Sequence, residues 1–295
     1  MNVLCFVFGL GAWLWQETQQ KTISPRIING EKVSIKDYPY QVGLEITYHD
    51  KSELLQCGGA LISKKHILTA AHCFNFRSED PEIVTVLMGS DRSIKTFHEE
   101  GKLQSGAQLQ RCRKCWRNHP KFEPVTYKND ISIITLEHEI ELSSQVQPIS
   151  LPKRIDLIHN MVNKPAVVSG WGLTENREAS DTLRAINVTL TNQYCPEKTL
   201  CYIPVNNKSE CKGDSGGPIV IEKKVVGIVS HYDSGDKKMD PTFCEQSVLI
   251  IQTNVANHLD WIQTVTKIPV ENFWSALSDF IELLLGNIEW DLFLN

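Results

Sequence analysis

The stretch Lys212-Gly-Asp-Ser-Gly-Gly-Pro218 sets one serine among three glycines and directly after an acid. Glycine admits left-handed backbone and close approach of other groups to the main chain. The segment therefore reads as a tight loop that presents a hydroxyl and its neighbouring N–H groups. Taken alone, it could be an ordinary loop. Two earlier segments change its meaning. Leu68-Thr-Ala-Ala-His-Cys73 carries a histidine beside a cysteine, and Asn129-Asp-Ile-Ser-Ile-Ile-Thr-Leu136 carries an aspartate at the head of an apolar run. A lone histidine next to cysteine is more often structural, and a lone aspartate before a strand is often a turn residue. Together they bring a base, a carboxylate and a hydroxyl into one chain.

On these segments, from Arg26 to about Gln263, the chain resembles the trypsin/chymotrypsin-like serine proteases, and the order His, Asp, Ser matches that family. Each residue type has a physical reason. A serine hydroxyl is a weak nucleophile at neutral pH and needs a base to take its proton. A histidine accepts that proton and later returns it to the leaving amine. A buried aspartate fixes the imidazole tautomer and stabilises the imidazolium. The resemblance thus implies Ser215 as nucleophile, His72 as base and acid, and Asp130 as orienter. It also implies an oxyanion hole formed by the N–H groups of Gly213 and Ser215.

Short β-type runs broken by turn residues fill the region from Ile27 to Thr253: Gln41–Thr47, Ile83–Met88, Ile131–Leu136, Ala166–Ser169, Ile219–Ile221 and Val225–Ser230. Several alternate apolar and polar residues, as half-buried strands do. Closely spaced short strands suggest a sandwich or barrel. The resemblance narrows this to an all-β fold: two antiparallel six-stranded β-barrels packed face to face, spanning 27–267 and divided near 140–150. Helical spacing is expected only late, at Asn254–Val265 and, after Pro269, at Asn272–Leu285. Residues 268–295 read as an amphipathic acidic tail. From Glu271 onward it holds Glu271, Asp279, Glu282, Glu289 and Asp291 without Lys or Arg, so it carries all of the chain's formal net charge of −5. Its apolar face suggests docking on the body or a partner, and disorder is the plainer alternative.

The apolar run within residues 1–15 is too short for a membrane span and resembles a secretory signal, although no basic residue precedes it. Residues 16–26 then form a short propeptide. Pro25-Arg26-Ile-Ile-Asn-Gly30 resembles the family's activation junction. Cleavage after Arg26 would free the Ile27 ammonium to pair with Asp214, ordering the oxyanion loop. Of nine cysteines, losing Cys5 with the signal leaves eight, an even set suited to an oxidising compartment. The resemblance pairs Cys57 with Cys73, Cys211 with Cys244, and Cys195 with Cys201 across an unusually short loop. Cys112 and Cys115 have no counterpart. Parity pairs them with each other, and half of a zinc site is the alternative. Asn187-Val-Thr and Asn207-Lys-Ser are glycosylation triplets.

The substrate pocket departs from the family pattern. Six residues before the nucleophile stands Ser209 rather than a trypsin's aspartate, and Glu210 follows it. The wall positions that are glycine in wide pockets fall on Tyr232 and Ile250, which suggests a shallow pocket for small or medium apolar side chains. Ser230 matches the residue beside the catalytic aspartate, His231 replaces the usual aromatic after it, and Lys212 completes the substrate-binding set. The acids of a trypsin calcium loop are not reproduced over Ser90–Glu100, so neither metal nor other cofactor is expected. Expected partners are protein or peptide substrates, an activating protease and protein inhibitors. The near-neutral body offers no basic field for nucleic acid, and no membrane span is read. The expectation is a secreted, extracellular endopeptidase made as a zymogen. The competing reading is a protease-fold binding or regulatory protein with an obstructed pocket.

Overall fold

The computed structural model describes residues 27–49, 54–154, 156, 161–233, 244, 247–270, 277 and 281. The expected signal segment, Arg26 and, apart from 277 and 281, the expected tail helix lie outside these residues.

Among the described residues, fourteen strands form two antiparallel sheets. The first contains β2 (Gln41–Thr47), β3 (Leu54–Leu61), β4 (His66–Thr69), β5 (Ile83–Met88), β6 (Gln108–Cys112), β7 (Trp116–Asn118) and β8 (Ser132–Thr135), in the order β6-β5-β2-β3-β4-β8-β7. The second contains β1 (Glu31–Lys32), β9 (Pro165–Gly170), β10 (Arg184–Thr189), β11 (Thr199–Tyr202), β12 (Pro218–Ile221), β13 (Lys224–Asp233) and β14 (Leu249–Asn254), in the order β1-β10-β9-β12-β13-β14-β11. Each sheet has seven strands rather than the expected six, with the short strands β7 and β1 each at an edge.

In each sheet a link joins segments near the two ends of the strand order. In the first, the chain turns from β6 into β7 through Arg113 and Lys114. The Cys112–Cys115 disulfide clamps that turn, so the first and last strands of the sheet are adjacent in sequence. The cysteine pair is therefore a structural bridge and not part of a zinc site. In the second, Thr191, just past β10, donates its N–H to the Cys201 carbonyl of β11 at 2.8 Å, beside the Cys195–Cys201 disulfide.

The strand β2 shows why simple alternation understates burial. Val42, Leu44 and Ile46 fill the first barrel's core, yet the opposite face is buried too. There Gln41 accepts a hydrogen bond from the Ser169 hydroxyl of β9 at 2.6 Å, and Glu45 lies 3.0 Å from His98. A strand pressed between its own core and a neighbouring body must find partners for its polar side chains; Glu45 and the Gln41 oxygen do, while the Gln41 Nε2 has none.

A helix that the sequence pattern did not suggest, α1 (Ile94–Glu100), occupies part of the segment in which the acids of a calcium loop are not reproduced. Ser93 caps its start, accepting from the Thr96 N–H at 3.2 Å, and Gly101 ends it with φ of 64°. The expected late helix is a 3-10 turn at Val255–His258 followed by α2 (Leu259–Thr266). It returns from the second barrel to the first, where Ile262 is fully buried in that barrel's core and Trp261 packs edge-on against His119. Truncating such a side chain removes buried area and leaves a cavity. Ile262→Ala is expected to destabilise the fold by about 2–5 kcal/mol, measured by chemical denaturation. A loss below 0.5 kcal/mol would show that α2 is not a structural latch.

Candidate active site

His72 opens a 3-10 turn just after β4, pinned by the Cys57–Cys73 disulfide. Asp130 lies two residues before β8 and is completely buried. Its Oδ2 lies 2.7 Å from His72 Nδ1 and accepts from the Ser230 hydroxyl at 2.6 Å, while its Oδ1 accepts from the His72 backbone N–H at 2.9 Å. Burial pushes the carboxyl up, but the His72 charge and the hydrogen bonds from His72 and Ser230 outweigh it and hold the group below its ordinary range. A nitrogen facing an ionised carboxylate must carry the proton. His72 is therefore held as the Nδ1–H tautomer, leaving Nε2 as its basic nitrogen.

Ser230 reaches Asp130 because β13 is irregular there. The register against β14 pairs Val229 with Gln252 and His231 with Ile251, so Ser230 is the extra residue of a bulge. A bulge re-aims a side chain and removes a backbone group from the ladder. Here the Ser230 side chain turns to Asp130, and its freed N–H donates to Gln252 Oε1 at 3.2 Å. The single hydroxyl proton of Ser230 is committed to Asp130. His231, whose Nδ1 lies 3.1 Å from the same oxygen, therefore donates to it. Burial, aided by the His72 charge, lowers the pKa of His231 against the opposing pull of Asp130 and Asp233. Its ring stacks on Tyr127 at 4.8 Å between centroids, and Tyr127 meets His72 edge-on at 5.5 Å.

Ser215 and His72 line one cleft of about 570 Å³ between the barrels. The loop around Ser215 holds two main-chain turns, Asp214 N–H to Cys211 O at 3.0 Å and Gly217 N–H to Asp214 O at 2.8 Å, and is tied to the first barrel by Gly58 N–H to Ser215 O at 2.7 Å. Gly213 has φ of 96°, a conformation in which a side chain would be strained. Asp214 is fully buried, and its carboxylate accepts from the N–H groups of Gly172 at 2.8 Å and Cys211 at 3.0 Å. Burial raises it to about 6 against the pull of those two amides. A Cβ on Gly172 would lie 2.3 Å from Asp214 Oδ2, so this carboxylate requires glycine there.

The expected substrate-binding residues divide. Glu210, Lys212, Ser230, Tyr232 and Ile250 line the cleft. Ser209 does not: it is fully buried, with its hydroxyl donating to the Glu210 carbonyl at 2.8 Å and its N–H to Ile28 O at 3.3 Å. All four expected disulfides are present, including Cys211–Cys244 beside the cleft. Cys57, His72 and Cys73 cluster tightly, but both sulfurs belong to the Cys57–Cys73 bridge and are not thiolate ligands. Sequence reasoning missed Gln252 and Tyr127. Gln252 lies two residues from Ile250 on β14, which puts both on one face, and Tyr127 lies three before Asp130.

Comparison with known proteins agrees with this geometry. The trypsin family model matches residues 27–262. A chymotrypsin of Phaedon cochleariae is 33% identical over 250 residues, covering 82% of each chain. A collagenase of Hypoderma lineatum is 34% identical over 254 residues, covering 82% of this chain and 88% of its own. The solved structure of HL collagenase superposes with a TM-score of 0.68 at 31% identity, covering 82% of this chain and 99% of that one. The chain belongs to the trypsin family of serine endopeptidases.

Proposed function

We propose that this chain is secreted as a zymogen, is activated by cleavage after Arg26, and hydrolyses peptide bonds in proteins through an acyl-enzyme on Ser215. The observation that carries this reading is the Asp130–His72 pair at 2.7 Å, which leaves a basic Nε2 on a side chain sharing one cleft with Ser215. In the first half of the reaction His72 takes the Ser215 proton as the hydroxyl attacks the scissile carbonyl, then passes it to the leaving amine. In the second half a water attacks the acyl group, its proton going to His72 and on to Ser215. Asp130 stays ionised throughout and stabilises the imidazolium. The N–H groups of Gly213 and Ser215 receive the oxyanion, and loss of one such donor costs roughly 2.7–4 kcal/mol of transition-state stabilisation.

Activation finds support in the second barrel. Ile27 is fully buried in its core and Ile28 pairs with Ser209, so the segment after the cut is seated beside the specificity loop. A buried carboxylate such as Asp214 gains strongly from a cationic partner, which the freed Ile27 ammonium provides. Four disulfides and the apolar N-terminal run support export. No helix among the described residues is long and apolar enough to cross a membrane.

Ser215→Ala is expected to lower kcat on the order of a millionfold, and His72→Ala nearly as much, because triad members act as a unit. Steady-state hydrolysis of a peptide ester by purified Ser215→Ala at the unmutated rate refutes the assignment. Arg26→Gln should give a precursor that tryptic activators leave inactive, and N-terminal sequencing of a fully active, uncut Arg26→Gln protein would overturn the activation step. Tyr232 and Ile250 face each other across β13 and β14 and narrow the cleft. The mature enzyme is therefore expected to cut after small or medium apolar residues at neutral pH. Replacing both by glycine should admit larger ones. Efficient cleavage after Phe or Tyr by the unmutated enzyme contradicts this pocket.

A further inference from the structure

Glu210 is the one carboxyl among the described residues lining the cleft, and the triad chemistry does not use it. Its surroundings fix its hydrogen-bonding state. Gln252 has no exposed surface, and its Oε1 accepts from the Ser230 backbone N–H at 3.2 Å. A backbone amide can only donate, so the Gln252 amide cannot be turned the other way. Its Nε2 therefore donates to Glu210 Oε1. That oxygen is an acceptor in either protonation state. The other oxygen, Oε2, is buried and has no hydrogen-bond partner in the structure, so it is the atom that gains or loses the proton. The Glu210 backbone is held as well, its N–H donating to the Tyr202 hydroxyl at 3.3 Å.

We propose that Glu210 makes the substrate preference of this cleft depend on its protonation: the ionised carboxylate accepts a substrate side chain that ends in a cation, and the neutral acid leaves the pocket to uncharged side chains. This deepens the protease reading and rests on it. The neighbouring wall residues Tyr232 and Ile250 carry no carboxyl that could compete with Glu210 for a cation. An unpaired buried carboxylate is costly in such a place, and a cation that enters beside it offsets the cost.

The titratable and charged groups around Glu210 fit this role. Asp214, on the same loop, raises its pKa by repulsion. Tyr202 of β11 meets its backbone, and Lys212, His231 and Tyr232 share the cleft wall. Burial is the larger cause, and with Asp214 it carries the carboxyl up to about 8 despite the hydrogen bonds from its own backbone and Gln252. Pairing of Asp214 with the Ile27 ammonium removes only the smaller contribution. The sign follows: below about pH 8 the acid is mostly neutral, and above it mostly charged.

The test compares two peptide substrates of the activated enzyme, identical except for Lys or Leu before the scissile bond, from pH 6 to pH 9. Any pH dependence of the shared catalytic step affects kcat/KM for both alike and cancels in their ratio. The Lys:Leu ratio should climb by up to about tenfold per pH unit well below pH 8 and level off above it, as a single ionisation requires. In Glu210→Gln the ratio should not change with pH. A flat ratio in the unmutated enzyme, or a slope that persists in Glu210→Gln, overturns the proposal. Fluorophosphonate labelling of Ser215 at each pH reports the triad alone. Unlabelled protein that hydrolyses neither peptide refutes the protease reading and this proposal with it, whereas labelled enzyme with a flat ratio refutes only the role of Glu210.

Discussion

The carboxylate of Asp130 has no exposed surface, yet the environment keeps it ionised by surrounding it with donors. Two come from His72 in the first barrel, and one comes from Ser230 on β13 of the second. The Asp130 carbonyl accepts a further bond, from Thr253 on β14, at 2.8 Å. A buried charge stripped of such partners costs several kcal/mol, so the two barrels cannot slide past one another without exposing that cost. The same junction is tied by Ser169 to Gln41 and by the Gly58 N–H to the Ser215 carbonyl. The relative placement of histidine and serine thus follows from satisfying one buried anion and its neighbours.

That dependence explains what was legible in the sequence. His72, Asp130 and Ser215 stood out because their chemistry needs those residue types in neighbouring motifs, and strands β2 and β5 have the ends their apolar runs suggest. The helix α1 did not stand out. Seven residues are too few for a helical period to separate from noise. Only its caps, Ser93 and Gly101, marked it. The double burial of β2 was equally hidden, because it arises from a second body that local alternation does not encode.

Gln252 was invisible for a related reason. Its function depends on a bulge one strand away, which frees the Ser230 N–H that Gln252 then accepts. Nothing in the sequence around either residue announces that pairing. Ser209 shows the reverse case: its place six residues before Ser215 suggests the family's pocket position, yet Glu210 lines the cleft and Ser209 is fully buried outside it.

Two buried carboxyls, Glu210 and Asp214, stand on one loop, and they differ in the kind of donor each receives. Asp214 accepts from the main-chain amides of Gly172 and Cys211 and lies at about 6, whereas Glu210 accepts from the Gln252 side-chain amide and its own backbone N–H and lies at about 8. Main-chain amides are fixed by the loop's own turns, so the state of Asp214 is tied to the conformation that shapes the Gly213–Ser215 backbone. A side-chain amide is fixed by Gln252 alone, and Glu210 keeps one oxygen without a partner. The first arrangement suits a group that responds to activation. The second suits a group that responds to what enters the cleft. A buried acid with an unfilled acceptor is a poor structural element, since an apolar residue of similar size would avoid the desolvation cost. Its position in the cleft wall is what makes recognition the economical account of its presence.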